Sequence, residues 1–139
     1  MIEADGPSPN LRWEELGCKD GTPYPEKWRS NRARLLAAEF ELIRSIIGGP
    51  IAILSAYRTE EHNKKVGGAR NSQHVVGKAL DLRCPKGWTP TRMALVVKAL
   101  VKDGKSRIKG LGIYPWGIHI DIRTAPELVV WSSNGQKES

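Results

Sequence analysis

Residues 72–81 read SQHVVGKALD and place His74 seven positions before Asp81. Downstream, residues 117–121 read GIHID and carry His119. The spacing of seven fits a ligand in a loop followed by one on the adjoining strand, and the glycine between them permits a tight passage. Two imidazole nitrogens and one carboxylate suit a catalytic zinc site that leaves one coordination position for water. On spacing alone, the alternative is that both histidines are hydrogen-bonded core or surface side chains.

Short strand-like runs surround these residues. Residues 78–83 show an alternating pattern that predicts a strand. Residues 109–114 and 118–123 predict two more strands, and only Pro115-Trp116-Gly117 separates them, so a hairpin is expected. The apolar run at residues 51–55 predicts a short buried strand.

Three helices are predicted by the spacing of apolar residues. Residues 26–47 carry apolar side chains three and four positions apart and are followed by Gly48-Gly49-Pro50. Residues 59–66 predict a short helix with Thr59 as its N-cap, and residues 91–102 predict a second amphipathic helix. The expected core face of the first helix consists of Leu35, Leu36, Phe40, Ile43 and Ile47. These elements predict an α+β domain with a small antiparallel sheet flanked by helices.

The length of 139 residues fits a single domain that spans residues 1–139. Residues 1–25 are rich in Pro, Gly and Asp and predict an irregular arm that packs on the domain, and residues 132–139 predict a flexible polar tail. The apolar runs are too short to cross a bilayer. The hydrophobic fraction of 40% is too high for a disordered chain, and two cysteines are too few for a disulfide scaffold.

The formal net charge of +7 favours an anionic partner such as nucleic acid, a cell wall or a membrane surface, although a basic surface without a partner is equally compatible with it. Nothing beyond charge supports nucleic acid, because no helix carries a basic stripe with interleaved aromatic residues and no zinc-finger spacing occurs. We expect no nucleic-acid partner, no insertion into a membrane and a monomeric chain.

The cysteines are possible zinc ligands in principle, whereas the remaining histidine is given no metal role by the sequence. Cys18 and Cys84 could form a disulfide or remain two reduced thiols, and the sequence leaves both open. Cys84 lies three residues beyond Asp81, so on a continuing strand it would face the other side and is not expected to be a ligand. His62 follows two glutamates on the predicted short helix and is expected to be a solvated surface residue.

The pattern S-x-H-x-x-G-x-A-x-D, followed downstream by a strand that carries H-x-D, resembles the zinc D-alanyl-D-alanine carboxypeptidase and murein endopeptidase family. That family includes phage endolysins and shares its fold with the hedgehog signalling domain. SAYRT at residues 55–59 and GIYP at residues 112–115 also resemble family segments, and the resemblance runs from about residue 16 to residue 123. It implies a hedgehog/DD-peptidase-like fold.

The resemblance also implies that His74, Asp81 and His119 bind one zinc ion per chain. Many members of that family carry an acidic general base three positions before the last ligand histidine, where this chain has Trp116. Asp121 is the replacement that we expect, because positions two apart on a strand point the same way and Asp121 therefore shares a face with His119. It would either accept a proton from zinc-bound water or orient His119 through a hydrogen bond without binding the zinc itself.

Four further residues are candidates for contact with the substrate. Arg58 would stabilise the oxyanion or bind a substrate carboxylate, since a guanidinium suits both tasks. Ser72, Tyr57 and Trp116 would bind substrate. The alternatives are an Arg58 that pairs with a nearby carboxylate, a Ser72 bonded to its own backbone and a Trp116 packed on the core at a hairpin tip.

The function that the resemblance implies is a zinc metallopeptidase that hydrolyses amide bonds in the stem peptides of peptidoglycan. It would be a carboxypeptidase or an endopeptidase of D,D or L,D type, with a phage lytic role as one setting. The alternative is a zinc-containing binding module without peptidase activity. The N-terminal segment MIEADGPSPN lacks the pattern of a signal peptide. We therefore expect a protein that is cytoplasmic until it is released, or is carried in a virion, and then acts on the cell wall.

Overall fold

Four helices are present in the computed structural model, which describes residues 5–133 and 137–138. They are α1 (Trp13–Leu16), α2 (Arg32–Ile47), α3 (Glu60–Lys65) and α4 (Pro90–Lys102). The predicted positions of α3 and α4 agree with the structure to within a residue at each end. Both helices begin after a threonine whose side chain accepts a backbone N–H, Thr59 for α3 and Thr89 for α4.

Helix α2 begins later than the sequence predicted. Glu26–Trp28 forms a single turn of 3₁₀ helix, and α2 starts after Asn31, whose side chain accepts the N–H of Arg32. This local hydrogen bond holds Asn31 outside the helical conformation and separates the two segments. The helix ends as predicted at Gly48, which adopts the left-handed conformation with a φ of 82°.

The buried face of α2 differs in part from the predicted one. Leu36, Phe40 and Ile43 are buried in the core as expected, together with two alanines of the same helix. Leu35, which the sequence assigned to that face, is exposed, and Ile47 at the last turn is only partly buried. The core-facing stripe is therefore narrower than the apolar spacing alone indicated.

Six strands form one mixed sheet in the order β1-β2-β4-β3-β5-β6. They are β1 (Ile53–Ser55), β2 (Ala79–Arg83), β3 (Gly110–Tyr114), β4 (Gly117–Asp121), β5 (Val129–Ser132) and β6 (Lys137–Glu138). The predicted α+β class and the predicted hairpin are confirmed, and Pro115 and Trp116 form the turn between β3 and β4.

The sheet is not wholly antiparallel, because β3 and β5 pair in parallel. Strand β4 ends opposite Gly110, the first residue of β3, and Val129 of β5 also lies opposite Gly110. The connecting segment 122–128 therefore passes the N-terminal end of β3. Strand β5 starts beside Gly110 and runs parallel to β3. The sequence did not predict β5 or β6. Ser132 belongs to β5, while residues 134–136 and 139 of the predicted tail lie outside the described residues.

The N-terminal arm packs on the domain as expected. Its residues Leu11, Leu16 and Tyr24 are buried in the same apolar core as the two longer helices and the sheet. Helix α1 packs against β1, α4 packs against β3 and β4, and α2 packs against α4. No helix in the described part of the chain has both the length and the apolar character needed to cross a membrane.

The pairing of β2 with β4 positions the residues that carry the chemistry. In this antiparallel pair Asp81 lies directly opposite His119, and Ala79 lies opposite Asp121. Residues directly opposite each other on one face of a sheet have adjacent side chains. The register of these two strands therefore brings the carboxylate of one motif against the histidine of the other.

Candidate metal centre

His74, Asp81 and His119 lie together, as the sequence predicted. All three are buried, and each offers a donor atom within 4.8 Å of the other two. Oδ1 of Asp81 lies 3.1 Å from Nε2 of His74 and 2.9 Å from Nδ1 of His119. The two imidazole rings meet edge to face, with centroids 5.1 Å apart. The three side chains thus form one compact set of two nitrogens and one oxygen.

The hydrogen-bond partner of Nδ1 determines the tautomer of His74. Nδ1 lies 2.6 Å from the carbonyl oxygen of Ala56, and a carbonyl oxygen can only accept, so Nδ1 donates. In the neutral imidazole Nε2 is then unprotonated, and its lone pair faces the carboxylate of Asp81. Two acceptors at this distance repel unless a proton or a metal cation lies between them.

His119 is held in a comparable way by a carboxylate. Its Nε2 lies 2.7 Å from Oδ2 of Asp121, which leaves Nδ1 directed at Asp81. A histidine that binds a metal commonly donates its other ring N–H to a carboxylate or a carbonyl, which fixes the ring and the tautomer. Both histidines have this arrangement, with Ala56 serving one and Asp121 the other.

Asp121 is completely buried and fully engaged. Arg123 donates from Nε to Oδ1 at 2.8 Å and from Nη2 to Oδ2 at 2.7 Å, and its backbone N–H donates to Oδ1 at 3.1 Å. Burial raises the pKa of Asp121, but the hydrogen bonds from Arg123 and His119 outweigh it and lower the pKa to about 2. The carboxylate is therefore charged at neutral pH.

The electrostatics of the donor set follow from the same contacts. Burial raises the pKa of Asp81, but the close contacts of its carboxylate with the imidazoles of His119 and His74 outweigh burial and hold the pKa below its usual range. Burial lowers the pKa of His119, whereas Asp121 and Asp81 raise it above its usual range. The pocket thus favours positive charge between its carboxylates. A divalent cation held by two imidazoles and a carboxylate meets that demand, and this donor set is typical of zinc.

Two glycines make room for this arrangement. Gly77, between His74 and Asp81 in the sequence, has a φ of 68°, which is the left-handed region that glycine adopts readily. A Cβ on Gly110 of β3 would overlap the carboxylate of Asp121. The chain therefore needs glycine both for the passage from loop to β2 and for the close approach of β3 to Asp121.

Arg58 is fixed beside the donor set. Its Nε donates to Oγ of Ser55 at 3.1 Å, and its Nη1 donates to Oδ1 of Asn63 at 3.2 Å. Nη2 lies 3.5 Å from Oδ2 of Asp81. Arg58 is therefore paired with a carboxylate of the donor set, and this contact fits either of the two roles that the sequence left open for it.

A cleft of about 640 Å³ opens over the donor set. Arg58, Ser72 and Trp116, which the sequence assigned to substrate, all line it. The hydroxyl oxygen of Ser72 accepts the backbone N–H of His74 at 3.2 Å. This serine therefore also stabilises the loop that carries His74, called the ligand loop below. Trp116 stacks on Tyr114, with ring centroids 4.8 Å apart and planes 8° apart, and faces the cleft.

Tyr57 does not line this cleft. Its ring packs edge-on against Tyr24 and Trp28, with centroids 6.2 and 5.9 Å away. The backbone N–H of Tyr57 also donates to Leu16, which ties this segment to the arm. The position of Tyr57 therefore supports packing of the arm, and not the contact with substrate that the sequence suggested.

Sequence reasoning assigned no role to Trp131, Tyr114 and Arg123, which line the cleft. Trp131 of β5 donates its indole N–H to the hydroxyl of Tyr114 at 2.8 Å, and its ring lies 5.3 Å from that of His119. Arg123 also lines the cleft, with its guanidinium 5.0 Å from the ring of Trp131. Trp131 had no signal in the sequence because β5 itself was not predicted, whereas Arg123 could have been found from its spacing of two from Asp121.

The cysteines and His62 also have defined positions. Cys18 and Cys84 are both free, which excludes the disulfide that the sequence left open. His62 is not the solvated surface residue that we expected. It is half-buried, and a ring nitrogen lies within 4.8 Å of the donor atoms of Cys18 and Asp20. His62 of α3 therefore lies close to the turn that carries these two residues.

Comparison with known proteins gives one family. Residues 9–121 match the family model described as Peptidase M15. A search of curated proteins finds no match. The matched region contains Arg58, the complete donor set and Asp121.

Proposed function

The chain belongs to the peptidase M15 family, a family of zinc-dependent peptidases, and we propose from this premise that it hydrolyses amide bonds in the stem peptides of peptidoglycan. The observation that carries the proposal is the convergence of three lone pairs from His74, Asp81 and His119 on one point at the floor of an open cleft. Zinc bound there would lower the pKa of a coordinated water and polarise the scissile carbonyl.

Arg58 supplies a fixed positive charge at the same point. Its contacts to Ser55 and Asn63 hold the guanidinium in place before substrate arrives, so no reorganisation is needed during the reaction. Nη2 is the nitrogen closest to the donor set. We propose that it stabilises the negative charge that develops on the carbonyl oxygen, or binds a terminal carboxylate of the substrate.

Asp121 is proposed as a positioning residue. A general base must reach the proton that it removes. Asp121 has no exposed surface, Arg123 donates to both of its oxygens, and His119 contacts Oδ2. Its hydrogen bond to Nε2 keeps the other nitrogen of His119 directed at the donor set. Of the two roles that the sequence left open for this carboxylate, its surroundings support the orienting one.

The walls of the cleft suit a peptide with free carboxylates. Arg58, Arg70 and Arg123 line it, and Asp81 is its sole acidic residue among those that the structure describes. Stem peptides carry carboxylates that such a surface attracts. The stacked rings of Tyr114 and Trp116 offer a flat apolar wall for the rest of the substrate. The net charge of +7 favours approach to an anionic wall.

The finer parts of the proposal rest on the sequence resemblance. They comprise carboxypeptidase or endopeptidase action of D,D or L,D type by a monomer, and a lytic role for a phage or prophage. In that role the protein acts on the cell wall after release from the cytoplasm or from a virion. Peptidoglycan peptides are then its partner, and nucleic acid is not.

Digestion of purified peptidoglycan tests the proposal. Wild-type protein and a His74→Ala variant are incubated with it, zinc content is measured by elemental analysis, and the products are identified by mass spectrometry. We expect new muropeptides from the wild type alone, and their masses identify the bond that is cut. Zinc-loaded wild-type protein that releases no product from either cross-linked or uncross-linked stem peptides would contradict the proposal.

A second candidate function is a zinc-containing binding module without peptidase activity. The observation that favours it is that Trp116 stands where many members of the family carry an acidic residue, and that Asp81 is the sole acidic residue among the described residues of the cleft. In the digestion above, this function predicts retention of the protein on peptidoglycan with no new products. The hydrolytic function predicts product release.

A further inference from the structure

Cys18, Asp20 and His62 form a second group of metal-binding side chains outside the cleft. A sulfur, a carboxylate oxygen and an imidazole nitrogen lie within 4.8 Å of one another. Cys18 is buried, His62 is half-buried and Asp20 is exposed. None of the three lines the cleft over His74, so the peptidase function does not account for them.

Backbone and hydroxyl contacts build this group from two parts of the chain. Cys18 and Asp20 lie in a tight turn, in which the N–H of Cys18 donates to the carbonyl of Thr22 at 2.8 Å and the N–H of Thr22 donates to Oδ1 of Asp20 at 2.8 Å. Thr59 joins the turn to α3. Its hydroxyl donates to Oδ2 of Asp20 at 2.9 Å and accepts the N–H of His62 at 3.1 Å.

The donor atoms keep capacity for an ion. Oδ1 of Asp20 accepts the N–H of Thr22 and Oδ2 accepts the hydroxyl of Thr59, and a carboxylate has acceptor capacity beyond these two bonds. Hydrogen bonds from Thr22, Cys18 and Thr59 lower the pKa of Asp20, and the carboxylate is charged at neutral pH. Cys18 is a free thiol, and within residues 5–133 and 137–138 no side chain bonds to the ring of His62.

We propose that Cys18, Asp20 and His62 bind a second divalent cation of the zinc class. Thiolate, imidazole and carboxylate are the three ligand types that zinc takes in proteins, and tetrahedral ligands around zinc lie about 3.5 Å apart, so the donors need only a small closure. Binding replaces the thiol proton, which is released to solvent as the sulfur–metal bond forms.

The surroundings leave access for the ion and a fourth ligand. Asp20 lines a second open cleft, of about 650 Å³, between the arm and α3. Water can reach the Asp20 side of the group from this cleft and would complete a tetrahedral set around a bound ion. The ion would then fasten the turn of the arm to α3. Because segment 66–73 follows α3 directly and lines the first cleft, this second site would steady one wall of the first.

Cobalt loading tests the proposal without relying on peptidase activity. Cobalt bound to a thiolate gives a sulfur-to-metal charge-transfer absorption band, whereas the His74 site contains no sulfur. The proteins compared are wild type, Cys18→Ser, His62→Gln, His74→Ala and Cys84→Ser, the last being the matched control because it removes the other free cysteine. Circular dichroism establishes that each variant is folded.

We expect the charge-transfer band in wild type, in His74→Ala and in Cys84→Ser, and its loss in Cys18→Ser. His62→Gln should weaken cobalt binding at least tenfold. Zinc content should be two ions per wild-type chain and one in each of Cys18→Ser and His74→Ala. A wild type without the band, or a band that is lost in Cys84→Ser and kept in Cys18→Ser, would overturn the proposal.

Alkylation of the wild-type thiols covers the case in which Cys18→Ser does not fold. Zinc should slow the modification of Cys18 at least tenfold, measured by peptide mass spectrometry, and leave that of Cys84 unchanged. Equal rates at Cys18 with and without zinc would refute the second site. Because His74→Ala retains this protection if the inference is right, failure of the second site is distinguishable from failure of the peptidase function.

Discussion

Asp121 is the residue whose role depends most on its contacts. From the sequence it could be a base or an orienting carboxylate, since it shares a strand face with His119. Its complete burial and its two hydrogen bonds from the Arg123 side chain leave it no path to a water in the cleft. Its effect on the reaction would therefore pass through His119.

Asp121→Asn separates the two roles. Loss of the carboxylate charge removes the partner that orients His119, so zinc affinity should fall by about 10- to 100-fold and hydrolysis should recover at saturating zinc. Zinc titration and rates of muropeptide release measure both effects. Asp103→Asn, at the exposed end of α4, is the control. Unchanged zinc affinity together with hydrolysis that stays lost at saturating zinc would instead identify Asp121 as the base.

Arg58→Lys tests the fixed guanidinium. Lysine cannot bond Ser55 and Asn63 while also directing a charge at the donor set, because its ammonium is a single point charge. We expect kcat/KM to fall by roughly 100-fold with zinc content unchanged. The matched control is Arg83→Lys, on the exposed end of β2. If the two variants hydrolyse peptidoglycan at the same rate, Arg58 has no part in catalysis.

At the scale of elements, helix α2 is joined to the start of β3 by a buried carboxylate. Glu39 accepts the hydroxyl of Ser106 at 2.6 Å and the backbone N–H of Arg107 at 3.0 Å. Strand β3 lies beside β4 and contributes the glycine that gives Asp121 its space. This contact therefore helps to place the strand pair that carries the donor set.

Glu39→Ala should destabilise the fold. It leaves the N–H of Arg107 and the hydroxyl of Ser106 without their acceptor, which costs about 1–3 kcal/mol of unfolding free energy. Urea denaturation measures the difference, with Glu127→Ala in an exposed segment as control. A change in unfolding free energy below about 0.5 kcal/mol, the range of ordinary surface substitutions, would show that the contact contributes little to stability.

At the scale of the whole molecule, the arm is attached to the domain by groups at both of its ends. The hydroxyl of Tyr24 donates to the carbonyl of Gly77 at 2.8 Å, next to the ligand loop. Near the start of the arm, Glu41 accepts the hydroxyl of Ser8 at 2.6 Å, and the backbone and side-chain N–H groups of Asn10 at 2.9 and 2.7 Å. Ionisation of Glu41 thus contributes to the docking of the arm.

Stability should depend on pH through Glu41. Burial raises the pKa of its carboxyl, but the hydrogen bonds from Asn10 and Ser8 outweigh it and hold the folded pKa below the ordinary value of 4.5. The unfolded chain therefore binds more protons near this pH. The contribution is fully present above pH 4.5 and is lost as the pH falls through the folded pKa.

Glu41→Gln should therefore lower Tm at pH 7 and lower it less at pH 3, because the contribution of the carboxylate shrinks as the pH falls below 4.5. The difference should not exceed about 1 kcal/mol, because solvent screens a carboxylate that is only partly buried. Thermal denaturation of wild type and variant across this pH range measures it, with Glu127→Gln as control. A Tm difference that is the same at both pH values would mean that the charge of Glu41 does not hold the arm.

The sequence by itself determined the features that depend on near neighbours. Thr59 caps α3, Gly48 ends α2 and Gly77 permits the turn before β2, because side-chain caps and left-handed conformations are local properties of the chain. The ligand types were also visible, since His74 and Asp81 lie seven positions apart in a distinctive pattern. The hairpin that carries His119 followed from a short turn between two strand-like runs.

Tertiary structure alone decided what depends on distant segments. The β2–β4 register sets Asp81 against His119, β5 brings Trp131 into the cleft, and α3 brings His62 to Cys18. No local pattern specifies these contacts. Each pairing depends on the free energy of burying a whole sheet and its helices, which only the folded chain gains. The chemistry could be anticipated from residue types, whereas the partners of Asp121 and His62 could not.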